Sequence, residues 1–250
     1  MKKTRIYNNC LLWLLFQATL LPSIGLLVAQ SPQPAKSARG TATTRPITNS
    51  IGVSMLPVPS GSFSMGSADD YMARPVHVVT FADGFFLSQN KITQGQWEKI
   101  MGTRPWTKDR KAIKNPNAPA LDITWNEAKK FCRILSEKEG RTYRLLSESE
   151  WEYVARSGSS KPISKQQSTS KAVVNSWGFI GMTGQQAEWC EDLMFVDYDG
   201  APIDGSAYTK NNGVARVIRG GKFGITGRFS TNPNNSYATV GFRIALSKVE

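Results

Sequence analysis

The sequence predicts one globular domain that mixes helices with short strands and carries long irregular connections. Three observations predict it. Capping signatures open three helices, short apolar runs between turn residues mark strands, and two long stretches follow neither period. Hydrophobic residues make up 40% of the 250-residue chain and charged residues 20%, which permits an ordinary core and argues against global disorder.

Residues 1–29 run from a cationic start through LLWLLFQATLLPSIGLLVA, an apolar stretch interrupted by Gln17, Thr19, Pro22 and Ser23. This pattern predicts a signal peptide, with cleavage after Ala29, and hence a periplasmic or secreted protein. Its 19 residues approach the length of a membrane span, so an uncleaved anchor is the alternative. Membrane contact is expected through this segment alone. Residues 30–50 contain almost no large apolar side chains and predict a flexible linker, which leaves 51–248 as the folded domain.

MLPVPSGSFSMGS places apolar residues on both sides of Gly61 and predicts a hairpin. PVHVVTFADGFFLSQ reads as strand, turn and strand, with Val76, Val78 and, after a slip, Phe81 as the apolar face. Helix starts are sharper. Thr93 with Gln96, Thr124 with Glu127, and Ser147 with Glu150 each have capping-box spacing, in which the hydroxyl accepts the N3 amide and the N3 side chain returns to the cap amide. After Thr124, Trp125, Ala128, Cys132 and Leu135 form one apolar stripe, with Lys129, Lys130 and Arg133 on the wet side. After Ser147, Trp151, Val154 and Ala155 share a face, and Gly158 suits a left-handed end. Glu148, Glu150 and Glu152 read as cap and dipole partners rather than as a catalytic acid pair.

Lys and Arg outnumber Asp and Glu by 31 to 19, a net charge of +12, of which Lys2, Lys3 and Arg5 belong to the export segment. The basic clusters at Lys108, Arg110, Lys111 and Lys114, and at Lys161, Lys165 and Lys171, have no interleaved aromatics to stack on bases, so no nucleic-acid partner is expected. Beyond the leader only Cys132 and Cys190 remain, and in an oxidising compartment they either pair as a disulfide or stay buried as thiols. His77 is the only histidine, which excludes a structural zinc site; in its alternating strand it reads as a packed or hydrogen-bonded edge residue. Asp197, Asp199 and Asp204 faintly suggest a calcium loop but lack the later Glu.

Six blocks, MLPVPSGSFSMGS, KITQGQWEKIMG, LDITWNEAKKFCRILSEKEGRTYRLLSESEWEYVARSG, NSWGFIGMTGQQAEWCEDL, RVIRGGKFG and GFRIA, fall in the order and approximate spacing of the formylglycine-generating enzymes, or sulfatase-modifying factors. The resemblance covers Val53 to Leu246 and implies a single α+β domain of C-type-lectin-like type with little regular secondary structure. Those enzymes oxidise a substrate cysteine to formylglycine, using copper held by two thiols and then molecular oxygen. The thiols lie between the Arg-Gly-Gly and Gly-Phe-Arg blocks, where soft sulfur selects Cu(I). Here Lys222 to Val240 contains no cysteine. The first thiol position falls at or near Ile225, and the second falls in a shortened, rebuilt loop. A related branch binds iron through three histidines, which His77 alone cannot supply. The family motif Asp-Met-x-Gly-Asn-x-Trp-Glu-Trp is replaced by Gly181 to Trp189, leaving Glu188 as a weak calcium candidate. Leu146 stands where the family has Pro.

Val217 to Leu246 therefore presents glycines, arginines and an Asn-rich loop without thiols. Arg219, Gly220 and Gly221 predict a bulged strand, Gly241, Phe242 and Arg243 a closing strand, and 224–239 a surface loop, with Arg219 and Arg243 making buried hydrogen bonds. Loops at 159–171, 194–215 and 223–239 offer Tyr198, Tyr208, Phe223, Arg228, Phe229, Asn234 and Tyr237 as partner-binding residues, aromatic anchors among small polar residues. The resulting expectation is a non-catalytic pseudoenzyme that binds a protein partner in the cell envelope, such as an immunity protein facing a toxin or effector. No cofactor is expected beyond the weak calcium site. The alternatives are a divergent cysteine oxidase using Cys132 or Cys190, and a calcium-dependent carbohydrate-binding module.

Overall fold

The computed structural model of the chain describes residues 45–108, 113–162, 173–210 and 212–247. The expected signal peptide, residues 30–44 of the expected linker, and Arg110, Lys111, Lys165 and Lys171 lie outside the described residues.

The folded unit starts inside the expected linker. β1 (Ile47–Thr48) pairs with β2 (Ser54–Val58), and Asn49 Oδ1 closes the intervening turn by accepting the Ile51 and Val53 amides at 3.2 and 2.8 Å. Ile51 and Val53 are buried, so this turn is anchored from below.

The expected hairpin around Gly61 does not form. β2 pairs with β5 (Phe85–Ser88), whereas β3 (Gly61–Met65) pairs with β4 (His77–Phe81). The chain does turn at Gly61, where an added Cβ would stand 2.6 Å from Tyr153 Oη, but the flanking strands join different sheets. Met55 of β2 packs beside α1 and α2, while Val58 of the same strand joins Phe63 and Met65 of β3 around α3. The face assigned to β4 is also corrected: Val79 and Phe81 point inward, and Val76 and Val78 stand in solvent.

β6 (Tyr143–Arg144) and β11 (Ala245–Leu246) complete an antiparallel sheet of order β1-β2-β5-β11-β6. A second sheet, β10-β7-β8-β9, contains β7 (Ala187–Leu193), β8 (Arg216–Gly220), β9 (Arg228–Thr231) and β10 (Val240–Gly241); β10 runs parallel to β7 and the other pairs are antiparallel. β9 lies within the segment expected to be surface loop.

All three capping boxes are present, with both reciprocal bonds, at the starts of α1 (Gln94–Met101), α2 (Trp125–Glu139) and α3 (Glu148–Ala155). Gly102 and Gly140 end α1 and α2 in the left-handed conformation. On α2 the expected stripe is buried, widened by Phe131, whose ring stacks on Trp97 at 5.7 Å and meets Phe242 edge-on at 5.4 Å. Each such aromatic contributes about 1.5–3 kcal/mol through its burial. α3 differs from expectation because all eight of its residues are buried, its acids included. It stops at Ala155, and Gly158, at φ 72°, returns its N–H to the Tyr153 carbonyl.

Candidate functional site

β8 carries Arg219 into the interior against α3. Its Nη1 donates to Glu148 Oε1 at 2.7 Å and to Tyr198 Oη at 2.8 Å, and its Nη2 donates to Glu152 Oε2 at 2.6 Å and to the Ile225 carbonyl. Glu148 also receives Arg228 Nε at 2.6 Å and Nη2 at 2.9 Å, and Glu152 Oε1 receives Arg156 Nε at 2.8 Å. Five buried side chains thus alternate in charge: Arg228, Glu148, Arg219, Glu152, Arg156. Burial opposes ionisation of Glu148, but the Arg228 and Arg219 charges outweigh it and hold the carboxyl below its ordinary range.

A second ionic centre closes on Glu188. Lys91 Nζ lies 3.0 Å from Oε1, Arg243 Nε lies 3.1 and 3.0 Å from Oε1 and Oε2, and Trp151 Nε1 donates to Oε2 at 3.2 Å. Lys91 also donates to the Gly181 carbonyl at 2.7 Å. Burial disfavours the Glu188 carboxylate, yet the Arg243 and Lys91 charges hold its pKa below the ordinary value. The expected weak calcium role of Glu188 is therefore corrected: two protein cations already occupy both oxygens. Among the described residues no group of three His, Cys, Asp or Glu is placed to hold a metal ion. Asp197 and Asp204 instead accept the Asp199 and Ser206 amides in local turns.

Cys132 and Cys190 are buried and unpaired, each in a different apolar cluster, so the candidate disulfide is absent. Burial pushes the Cys132 thiol up to about 12. Burial, followed by the Asp192 and Glu148 charges, raises Cys190 well above the ordinary thiol range. Ile225, at or near the position where the resemblance puts the first thiol, is buried with its carbonyl taken by Arg219. These residues do not fit copper. A branched alkyl group replaces one soft ligand, and no cysteine stands elsewhere between Lys222 and Val240.

Of the seven expected partner-binding residues, Tyr198 and Arg228 are corrected to interior positions, 4% and 6% exposed. The arginine ladder holds Arg228, whose guanidinium lies 4.2 Å from the Tyr198 ring centroid. Tyr208 is half-buried, its ring stacked at 3.3 Å on Phe195 and its N–H donated to Asp192 Oδ1. The other four gather at the surface. Phe223 stacks on Phe229 with centroids 5.1 Å apart, Phe229 meets Tyr237 edge-on at 6.5 Å, and Asn234 Oδ1 accepts from Asn126 Nδ2 at 2.6 Å. Phe229 and Tyr237 are 38% and 36% exposed. His77 Nδ1 lies 2.9 Å from the Pro75 carbonyl and its ring stands edge-on to Tyr198, as a packed edge residue.

Beside Tyr237 a recess of about 260 Å³ opens between Trp106, Ile113 and Leu121, rimmed by Asp122, Gln185 and Gln186. The Asp122 N–H donates to the Tyr237 carbonyl at 3.1 Å, which joins recess and aromatic cluster. Sequence reasoning missed Trp106 and Lys91. Lys91 left one trace, a lysine between an apolar strand and a capped helix; Trp106 left none, since it sits in a short 3-10 turn without a period.

Small sheets with irregular connections pinned by buried arginine–carboxylate pairs define a C-type-lectin-like α+β domain of the formylglycine-generating-enzyme type. The chain belongs to the sulfatase-modifying factor family: the family model described as the sulfatase-modifying factor enzyme 1-like domain matches residues 41–172, more than half the chain. It is similar to the formylglycine-generating enzyme of Streptomyces coelicolor, at 24% identity over 62% of this chain and 59% of that protein. The chain therefore spans less than two thirds of that relative. Among solved structures, PvdO from Pseudomonas aeruginosa matches with a TM-score of 0.71 and 28% identity, covering 82% of this chain and 98% of that one. Treponema denticola variable protein 1 matches with a TM-score of 0.69 and 20% identity, covering 81% and 98%, and shares the fold.

Proposed function

We propose that the chain is an exported, non-catalytic binding protein that uses the sulfatase-modifying-factor scaffold to recognise a protein partner in the cell envelope, as an accessory or immunity protein. One observation carries this reading. At or near the position where the resemblance puts a copper thiol stands a buried Ile225 whose carbonyl accepts from Arg219. Close by in the sequence, Phe223, Phe229 and Tyr237 form a surface cluster of rigid aromatics, a composition suited to protein recognition. The oxidase alternative would need a thiolate at Cys190, which burial and two neighbouring carboxylates disfavour.

Titration of the full-length chain with Cu(I) under reducing conditions tests the reading. The expected result is no tight binding. Tight binding that disappears in Cys190→Ser would restore the oxidase.

A further inference from the structure

β9 is a sheet edge whose backbone the described residues leave open on one side. The edges at β1, β6 and β10 are two residues long. In the two-stranded sheet each outer edge has one N–H taken, that of Thr80 on β4 by the Ile203 carbonyl at 2.8 Å and that of Ser64 on β3 by Ser160 Oγ at 3.1 Å. β9 is four residues long and pairs with β8 along one side. In an antiparallel pair alternate residues turn their N–H and C=O groups away from the partner strand. Among the described residues no segment other than β8 hydrogen-bonds to the backbone of Arg228–Thr231. An edge of this kind is a template for another strand.

The side chains around the edge say what such a strand carries. Phe229 stands exposed in mid-strand, flanked by Phe223 and Tyr237, and Lys222 Nζ lies 5.4 Å from the Phe223 ring centroid. Residues 205–247 contain six Lys and Arg and no Asp or Glu. Of that set Arg219, Arg228 and Arg243 are buried against carboxylates and Arg216 is half-buried over the Trp125 ring, which leaves the exposed Lys222, beside Phe223, as the charge next to this edge. Pairing of β9 with a second copy would bring two Lys222-bearing edges together, whereas an acidic segment complements each of them.

We infer that β9 accepts an added strand from an extended, acidic segment of a partner protein, with an aromatic or β-branched side chain of that segment packed on Phe229. The inference rests on the binding-protein reading and names the form in which the partner is recognised.

The test presents the full-length chain with an array of random octapeptides and follows the best binder by amide hydrogen exchange. The expected selection alternates Asp or Glu with aromatic or β-branched residues, and its binding slows exchange across Arg228–Thr231. Phe229→Ala weakens that binding about tenfold. Lys222→Glu, an exposed change that leaves packing intact, weakens it several-fold and flattens its salt dependence. Selection of basic peptides, absence of selection, or protection of β9 by self-association without peptide overturns the inference. A selected peptide that protects another surface also overturns it, while leaving the binding-protein reading in place; tight Cu(I) binding removes that reading and does not alter the exchange result.

Discussion

Arg219 Nη2 and Glu152 Oε2 meet at 2.6 Å with neither side chain exposed to solvent. Each also holds a second partner, so the pair is the middle of a chain of charges rather than an isolated bridge. Arg219→Met leaves Glu148 to Arg228 and Glu152 to Arg156, so neither carboxylate loses its last cation, but it withdraws the donors to Tyr198 Oη and the Ile225 carbonyl and is expected to cost about 1–3 kcal/mol in urea unfolding. Combined with Glu152→Leu the loss should be less than the sum of the two, because the partners belong to one network. A change well under 1 kcal/mol for Arg219→Met would contradict this account of the ladder.

The surface aromatics should behave unlike the core ones. Phe131→Ala removes a fully buried ring and is expected to cost about 3–5 kcal/mol. Phe229→Ala, at an exposed edge, should cost under about 1 kcal/mol. Equal losses would place Phe229 in the core's supporting structure.

Much of this organisation was legible locally. Thr93, Thr124 and Ser147 announced the helices because a capping box is written within four consecutive residues. The partners of Glu148 and Glu152 were not legible, because Arg219 and Arg228 arrive from a strand pair far along the chain. Short-range signals also misled at Gly61, where a turn was visible but each flanking strand pairs with a segment further along the chain, Phe85–Ser88 for one and His77–Phe81 for the other. Tyr198 and Arg228 failed for the same reason: loop composition suggests a surface, and only the assembled ladder shows that both lie inside.

Asp192 supplies the pH dependence. Its Oδ2 accepts the Glu148 N–H at 2.7 Å and its Oδ1 the Tyr208 N–H at 2.8 Å. Burial, followed by the Glu148 charge, pushes its pKa up to about 8. An unfolded Asp titrates near about 3.9, so between those values the folded chain holds a proton that the unfolded chain has released. Stability should therefore fall as pH rises from about 5 to about 8, an interval in which the lowered carboxyls of Glu148 and Glu188 stay ionised in both states. Urea midpoints across that interval should show the decline in the natural sequence and a flatter profile in Asp192→Asn. A rise in stability would contradict the assignment.

The thiols should be silent in the folded chain. With Cys132 and Cys190 buried and their pKa values raised, iodoacetamide at mildly alkaline pH should label neither until denaturant is added. Rapid labelling of Cys190 in the native state would place that sulfur within reach of a substrate.

Calcium should also leave the fold unchanged, because Lys91 and Arg243 already neutralise Glu188. The thermal midpoint is expected to be the same with chelator and with millimolar calcium, and a clear rise with calcium would reveal a site elsewhere.

The most direct test is of the chemistry itself. The full-length chain, supplied with Cu(I), reductant, oxygen and a sulfatase-type cysteine peptide, should return that peptide with its mass unchanged. An aldehyde at the cysteine position, made by the natural sequence, would contradict the account outright.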